Sequence, residues 1–189
     1  MLLGLLIIYF VLCLLVPTLR IYKATGKNLI TFKGNDNAHD LVGFYMKVLI
    51  GLCIVAGVEH WQPSIFNFYI FFNEAMVTPY GYALIIISMA WTVIAQWQMS
   101  SSWRIGIDNE NKTELRQHGL FKYSRNPIFL GMLGLVLGIF IIRPIFLNLL
   151  TFVLSVILIT IQVRLEEEFL DRQHGQNYST YKSQTRRWI

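Results

Sequence analysis

Charge, cysteine and paired histidine are what this sequence has least of. Only 14% of its 189 residues are charged while 54% are hydrophobic, a balance that excludes an ordinary soluble domain. Its two cysteines, Cys13 and Cys53, both lie inside apolar runs and read as small hydrophobes, not as a disulfide framework or a metal site. His39, His60, His118 and His174 are scattered without a paired ligand spacing, so no metal centre is expected. No loop exceeds about thirty residues, short of the ~50 that a soluble domain needs. Internal repeats and low-complexity stretches are missing too. The formal net charge is +5, but the basic residues are not interleaved with aromatics on a soluble module as in a nucleic-acid reader. No nucleic-acid partner is expected.

What is present is a series of apolar runs. They predict an all-α, polytopic membrane protein, a single integral membrane domain over residues 1–189 with about five transmembrane helices at 2–19, 41–58, 80–99, 128–142 and 145–163. The longer runs match the ~30 Å hydrocarbon core at 1.5 Å per residue. The first is read as a retained span: no basic segment precedes it, and Pro17-Thr18-Leu19-Arg20 follows it where a cleaved leader would carry small residues. Lys47, inside the second run, is expected to snorkel to the basic side.

Lys and Arg fall on one set of loops: four in 20–40, five in 100–126 and five in 164–189, against Arg143 alone on the opposite side. The positive-inside rule then puts the N-terminus outside and the C-terminus in the cytoplasm. Arg143-Pro144 makes the last two spans an antiparallel hairpin. Gly131, Gly134 and Gly138 form a stripe of small residues within that hairpin, suited to close packing of membrane helices and to pairing of two copies in a homo-oligomer.

Two polar stretches, Gly119–Asn126 and Arg164–Glu168, meet at the cytoplasmic ends of the hairpin. Asn126 is a good N-cap and Pro127 a good first helical residue, so a helix is expected to begin there, with Arg125 beside its N–H groups ready for an anion. The bland reading of the glutamates is a solvated helix end with an Arg164–Glu168 pair worth at most ~0.5 kcal/mol. Three adjacent carboxylates next to an anionic membrane surface nevertheless invite a cation.

Two blocks carry a resemblance. Leu115-x3-Gly119-x5-Arg125-Asn126-Pro127-x-Phe129-x-Gly131 and Glu166-Glu167-x2-Leu170-x4-Gly175-x2-Tyr178-x2-Tyr181 resemble the C-terminal signature of the isoprenylcysteine carboxyl methyltransferase family, itself similar to the phospholipid methyltransferases. Ser102-Trp103-Arg104-Ile105-Gly106 fits bacterial members, and the likeness covers residues 100–187. The resemblance implies S-adenosyl-L-methionine as cofactor, held by Thr113, Glu114, Leu115, Arg116, Gly119, Phe121, Asn126, Pro127, Phe129 and Glu166. It implies a lipophilic small-molecule or prenylated acceptor, with membrane lipids as further partners, and carboxyl O-methylation of an isoprenylcysteine-like substrate as the leading reaction.

The chain departs from the pattern where Asn126 replaces a His, where Phe121 and Phe129 replace Tyr, and where Gln162 stands in place of the first of two arginines, the second being Arg164. Aromatic walls for adenine survive these changes, whereas hydroxyl donors do not. Arg125, Arg164 and Glu167 are the catalytic candidates: the arginines to hold an acceptor anion near the methyl group, and Glu167 with Glu166 to balance the cofactor's positive charge. A carboxylate acceptor needs no general base. A phospholipid amine or a lipophilic thiol would need one, for which the sequence offers His118 or a glutamate. The rival of another class is a non-catalytic membrane protein or small transporter.

Overall fold

A computed structural model describes residues 1–26, 37–66, 68–102, 106 and 114–189. The chain is a bundle of helices: α1 (Leu2–Phe10), a π-helical turn (Val11–Leu15), α2 (Val16–Thr25), α3 (Ala38–Trp61), α4 (Glu74–Met99), α5 (Pro127–Ile142), α6 (Phe146–His174) and α7 (Gln176–Gln184). The pairing outside helices among the described residues is an isolated antiparallel bridge between Ile70 and Ile145.

Four helical stretches, Leu2–Ala24, Ala38–Trp61, Ala75–Met99 and Phe146–His174, are long and apolar enough to cross a membrane, while Pro127–Ile142 is a shorter apolar helix. At 1.5 Å per residue α5 reaches about 24 Å, less than the ~30 Å core. The other helices overrun the expected spans because polar caps, not hydropathy, set their ends. Asn37 starts α3, its Oδ1 accepting from the Asp40 amide at 2.8 Å, and Asn73 starts α4 by accepting from the Ala75 amide at 3.1 Å. Helix α6 runs on without a break through Glu166, Glu167 and Glu168.

The polarity of the bundle is inverted relative to a soluble protein. Along α4, Ser88, Thr92 and Gln96 recur every four residues and are buried, whereas Ile87, Ile94 and Trp97 are exposed. On α6, Thr151, Ser155 and Gln162 are buried while Val153 and Ile157 face outward. An apolar exterior around a hydrogen-bonded interior is what lipid selects. The chain is an integral membrane protein.

The glycine stripe of α5 packs on α4, not within the α5–α6 hairpin. A Cβ on Gly138 would lie 2.6 Å from Ile85 Cγ1 and 3.0 Å from the Gly81 carbonyl, and one on Gly81 would lie 2.9 Å from the Gly138 carbonyl. Gly131 and Gly134 likewise face Thr92 and Ser88. The spacing identified a close-packing face; the partner is the helix that offers Gly81 and two small hydroxyl residues in matching register.

At the opposite end from the polar stretches, Glu59 and Arg143 form a buried ion pair, with Arg143 Nη2 2.8 Å from Glu59 Oε1 and Nε 3.0 Å from Oε2. Arg143 therefore ties the end of α3 to the α5–α6 turn instead of standing as a lone loop charge. Asn148 Nδ2 donates to the Arg143 carbonyl at 2.8 Å, and the Phe71 amide donates to the Pro144 carbonyl at 2.9 Å, closing that end.

Gly138→Ala is expected to destabilise the protein by about 1–3 kcal/mol, because the new methyl meets backbone that cannot rotate away. Gly134→Ala, which meets the rotatable Ser88 hydroxyl, should cost less. Thermal unfolding of both variants in detergent would check the order, and equal midpoints would refute the close α4–α5 contact.

Candidate active site

Helix α5 begins at Pro127 as its sequence dictates, with Asn126 at the N-cap position, but the Asn126 side chain makes no capping bond. It turns away from its own helix. Asn126 Nδ2 donates to Glu167 Oε1 at 3.3 Å and to the Arg187 carbonyl at 3.2 Å. Arg125 joins the same carboxylate, with Nε at 3.2 Å and Nη2 at 3.0 Å from Oε1. The other side of Glu167 is held by Arg187, whose Nη2 lies 2.8 Å from Oε2. The anion that meets the Arg125-bearing helix start is thus a carboxylate of the chain itself.

The C-terminal segment completes this knot. Arg125 Nη1 donates to the Lys182 carbonyl at 3.1 Å and to the Thr185 carbonyl, and the Arg125 amide donates to the Arg186 carbonyl at 3.0 Å. Tyr181 donates its hydroxyl to the Phe121 carbonyl at 2.6 Å. The bond to Glu167 raises the pKa of Arg187 further above its usual value. Burial pushes the Tyr181 phenol up to about 12 and raises Tyr178 as well, so both remain protonated donors at neutral pH.

A cavity opens beside the knot. Its wall includes Glu114, Leu115 and Arg116 from the segment before the 3-10 turn Gly119–Lys122, then Phe121, Arg125, Asn126, Pro127 and Phe129, then Glu166 and Leu170 from α6, with Tyr178 and Tyr181 from α7. Gly119 is not on the wall but makes it possible: its φ is +64°, and a Cβ there would fall on the Gln98 side chain, whose Oε1 accepts the Leu120 amide at 2.7 Å. That turn swings Phe121 under the cavity. Thr113 lies outside the described residues. Arg164 is exposed on α6 and lies on neither this cavity nor the next one.

Behind the first cavity lies a second, apolar chamber among α1, the π-helical turn, α3, α4, α5 and α6. Tyr9, Cys13, Leu14, Met46, Ile50 and Met132 line it, with Thr92, Gln96 and Gln162 as its polar groups. The two spaces share Met99, Ile128, Phe129 and Glu166. Gln162 Nε2 donates to Glu166 Oε1 at 2.8 Å, which aims that carboxylate at the junction. His39, at the start of α3, lies against Gln162, whereas His118 is exposed.

Sequence reasoning had no local signal for the inner chamber or for Arg187, which read as one more cytoplasmic charge. The Tyr178-x2-Tyr181 spacing was the one pointer to the C-terminal segment. Both tyrosines are nearly fully buried, an unusual fate in a polar nine-residue helix that marks a docked element.

Residues 76–177 match the phospholipid methyltransferase family. That match spans more than half of the chain, which therefore belongs to this family of membrane methyltransferases. No curated protein matches the chain at a significant level.

Glu167→Gln is expected to cost about 3–5 kcal/mol, because it leaves two arginine charges facing each other with no counter-ion. Glu168→Gln removes an exposed pair with Arg172 and should change stability by no more than ~0.5 kcal/mol. Unfolding midpoints in detergent would test the contrast; similar losses in the two variants would count against the buried knot.

Proposed function

With membership of the phospholipid methyltransferase family as the premise, we propose that the protein transfers a methyl group from S-adenosylmethionine to a lipophilic acceptor, the cofactor in the outer cavity and the acceptor in the inner chamber. The observation that carries this reading is convergence. Eight residues that the sequence signature associates with the cofactor, Glu114, Leu115, Arg116, Phe121, Asn126, Pro127, Phe129 and Glu166, lie on one wall, and that wall adjoins an apolar space within the bundle.

The residues fit the cofactor. Arg116 Nε and the Tyr178 hydroxyl are buried without a hydrogen-bond partner among the described residues, two donors suited to the amino-acid carboxylate and to a ribose or adenine acceptor. Phe121, Phe129 and Tyr181 supply aromatic faces for the base. Glu166 supplies negative charge for the cationic sulfur. When bound, the sulfonium supplies an electrophilic methyl group. The chain's own task is positioning: Phe129 and Ile128 keep the junction dry, Gln162 fixes Glu166, and the Glu167 knot holds the helix start that carries both.

The acceptor's reacting group meets the methyl at the shared wall while its hydrocarbon stays among Leu14, Met46, Ile50 and Met132. Carboxyl O-methylation of an isoprenylcysteine-like substrate proceeds there without a base, because a carboxylate is already ionised near neutral pH. An amine or thiol acceptor passes its proton to Glu166, the carboxylate at the junction. In both cases Glu167 and Arg125 act through position. Charge asymmetry supports a cytoplasmic site, and the likeness of Ser102-Trp103-Arg104-Ile105-Gly106 to bacterial members supports a bacterial inner membrane.

Purified protein should bind radiolabelled S-adenosylmethionine saturably in detergent. Arg116→Ala should weaken binding about ten- to a hundredfold, the worth of a charge-assisted hydrogen bond. Incubation with a lipid extract and labelled cofactor should give an organic-soluble methylated product, base-labile for an ester and base-stable for an amine or thioether. Absence of saturable binding would end this reading.

A further inference from the structure

Gln96 stands on the partition between the inner chamber and a second space. That second space is a groove between the first span and α4, walled by Leu12, Val16, Arg20, Val93 and Trp97, with Gln96 at its floor. Leu12, Val16 and Trp97 are exposed, so the groove opens on the lipid side. The Arg20 guanidinium lies over the Trp97 ring at 5.6 Å from its centroid, which places the groove's rim at the membrane interface.

The Gln96 amide has one satisfied end and one unsatisfied end. Its Nε2 donates to the Cys13 carbonyl at 2.6 Å. Pro17, four residues beyond Cys13, has no N–H to give that carbonyl, and the chain passes through the π-helical turn Val11–Leu15 at this point. Such freed backbone groups inside a membrane must find another donor. Reversing the amide would set two carbonyl oxygens against each other, so the orientation is fixed. Gln96 Oε1 is then left buried with no hydrogen-bond partner among the described residues, and Gln96 as a whole is 8% exposed. A buried acceptor without a donor is uncommon in a folded protein. The neighbouring Thr92 hydroxyl is taken up by the Ser88 carbonyl at 2.8 Å.

We propose that the lipophilic acceptor reaches the chamber from the bilayer through the groove between the first span and α4, and docks a hydrogen-bond donor of its own on Gln96 Oε1. The inference rests on reading the inner chamber as the acceptor's place. It narrows the acceptor to a long-chain molecule that carries an N–H or O–H near its reacting end, and it disfavours molecules whose polar atoms are all acceptors. Gln96 is in this view a specificity-determining residue that also latches the π-helical turn.

The test uses the full chain in phosphatidylcholine nanodiscs and two photoreactive probes that differ by one hydrogen. One is a long-chain alkyl diazirine ending in a secondary acetamide; the other is its N-methylated tertiary amide. Crosslinked peptides are mapped by mass spectrometry. The secondary amide should label the peptides around Cys13 and Gln96 about tenfold more than the tertiary amide, the worth of one buried hydrogen bond. Gln96→Met should remove that preference. Ile50→Trp, which fills the chamber from α3, should abolish labelling by both probes. Equal labelling of the wild type by the two probes, a preference that survives in Gln96→Met, or labelling indifferent to Ile50→Trp would each overturn the proposal. If Gln96→Met does not fold, the probe pair on the wild type and the Ile50→Trp variant still decide. Cofactor binding measured on the same nanodiscs separates this failure from failure of the methyltransferase reading.

Discussion

A single buried carboxylate organises the polar end of this molecule. Glu167 lies on α6 almost wholly out of solvent, and taking such a charge from water is tolerable only when its lone pairs are met by cations and donors. Arg125, Asn126 and Arg187 meet them. Arg125 and Asn126 are consecutive at the start of α5 and Arg187 lies in the C-terminal segment, so satisfying one anion ties these two stretches to α6. The outer cavity is the space left beside that knot, and its wall is as well defined as the knot is rigid.

The membrane sets the second constraint. Lipid supplies no hydrogen bonds, so the polar residues of α4 and α6 turn inward and the bundle closes around them. Close approach of α4 and α5 through Gly81 and Gly138 brings Gln96 and Phe129 to one chamber, and the Trp91 indole donates to the Pro127 carbonyl at 3.0 Å to fix the start of α5. The Glu59–Arg143 pair closes the far end. Helix packing and site geometry are thus one problem: a shift of α5 against α4 would alter the wall that both cavities share.

The parts legible in the sequence were those with local causes. Hydropathy located the helical runs, and Pro127 marked the beginning of α5 because a missing donor matters only at that position. The cofactor-wall residues were named through the signature, and those within the described residues gather in one place apart from Gly119, which shapes the turn behind them. What could not be read locally is pairing at a distance. Asn126 has the chemistry of an N-cap, yet Glu167 and the Arg187 carbonyl compete for its amide. The glycine stripe announced a close neighbour without naming α4, since periodicity describes one helix and not its partner. Arg143 looked like a loop charge because Glu59, 84 residues away, gives no sign in sequence of facing it.

The distribution of charge also separates holding from reacting. Glu166 and Glu167 are adjacent in sequence, but successive helical residues point about 100° apart, and the two carboxylates meet different surroundings. Glu167 turns into the arginine knot, where its charge is neutralised and its oxygens are occupied. Glu166 turns to the junction of the two cavities, steadied by Gln162. A carboxylate locked between two arginines holds geometry well, because any movement would forfeit both pairs. One pair of identical residues thereby meets two surroundings, with the helix repeat placing one in the arginine knot and the other at the junction of the cavities.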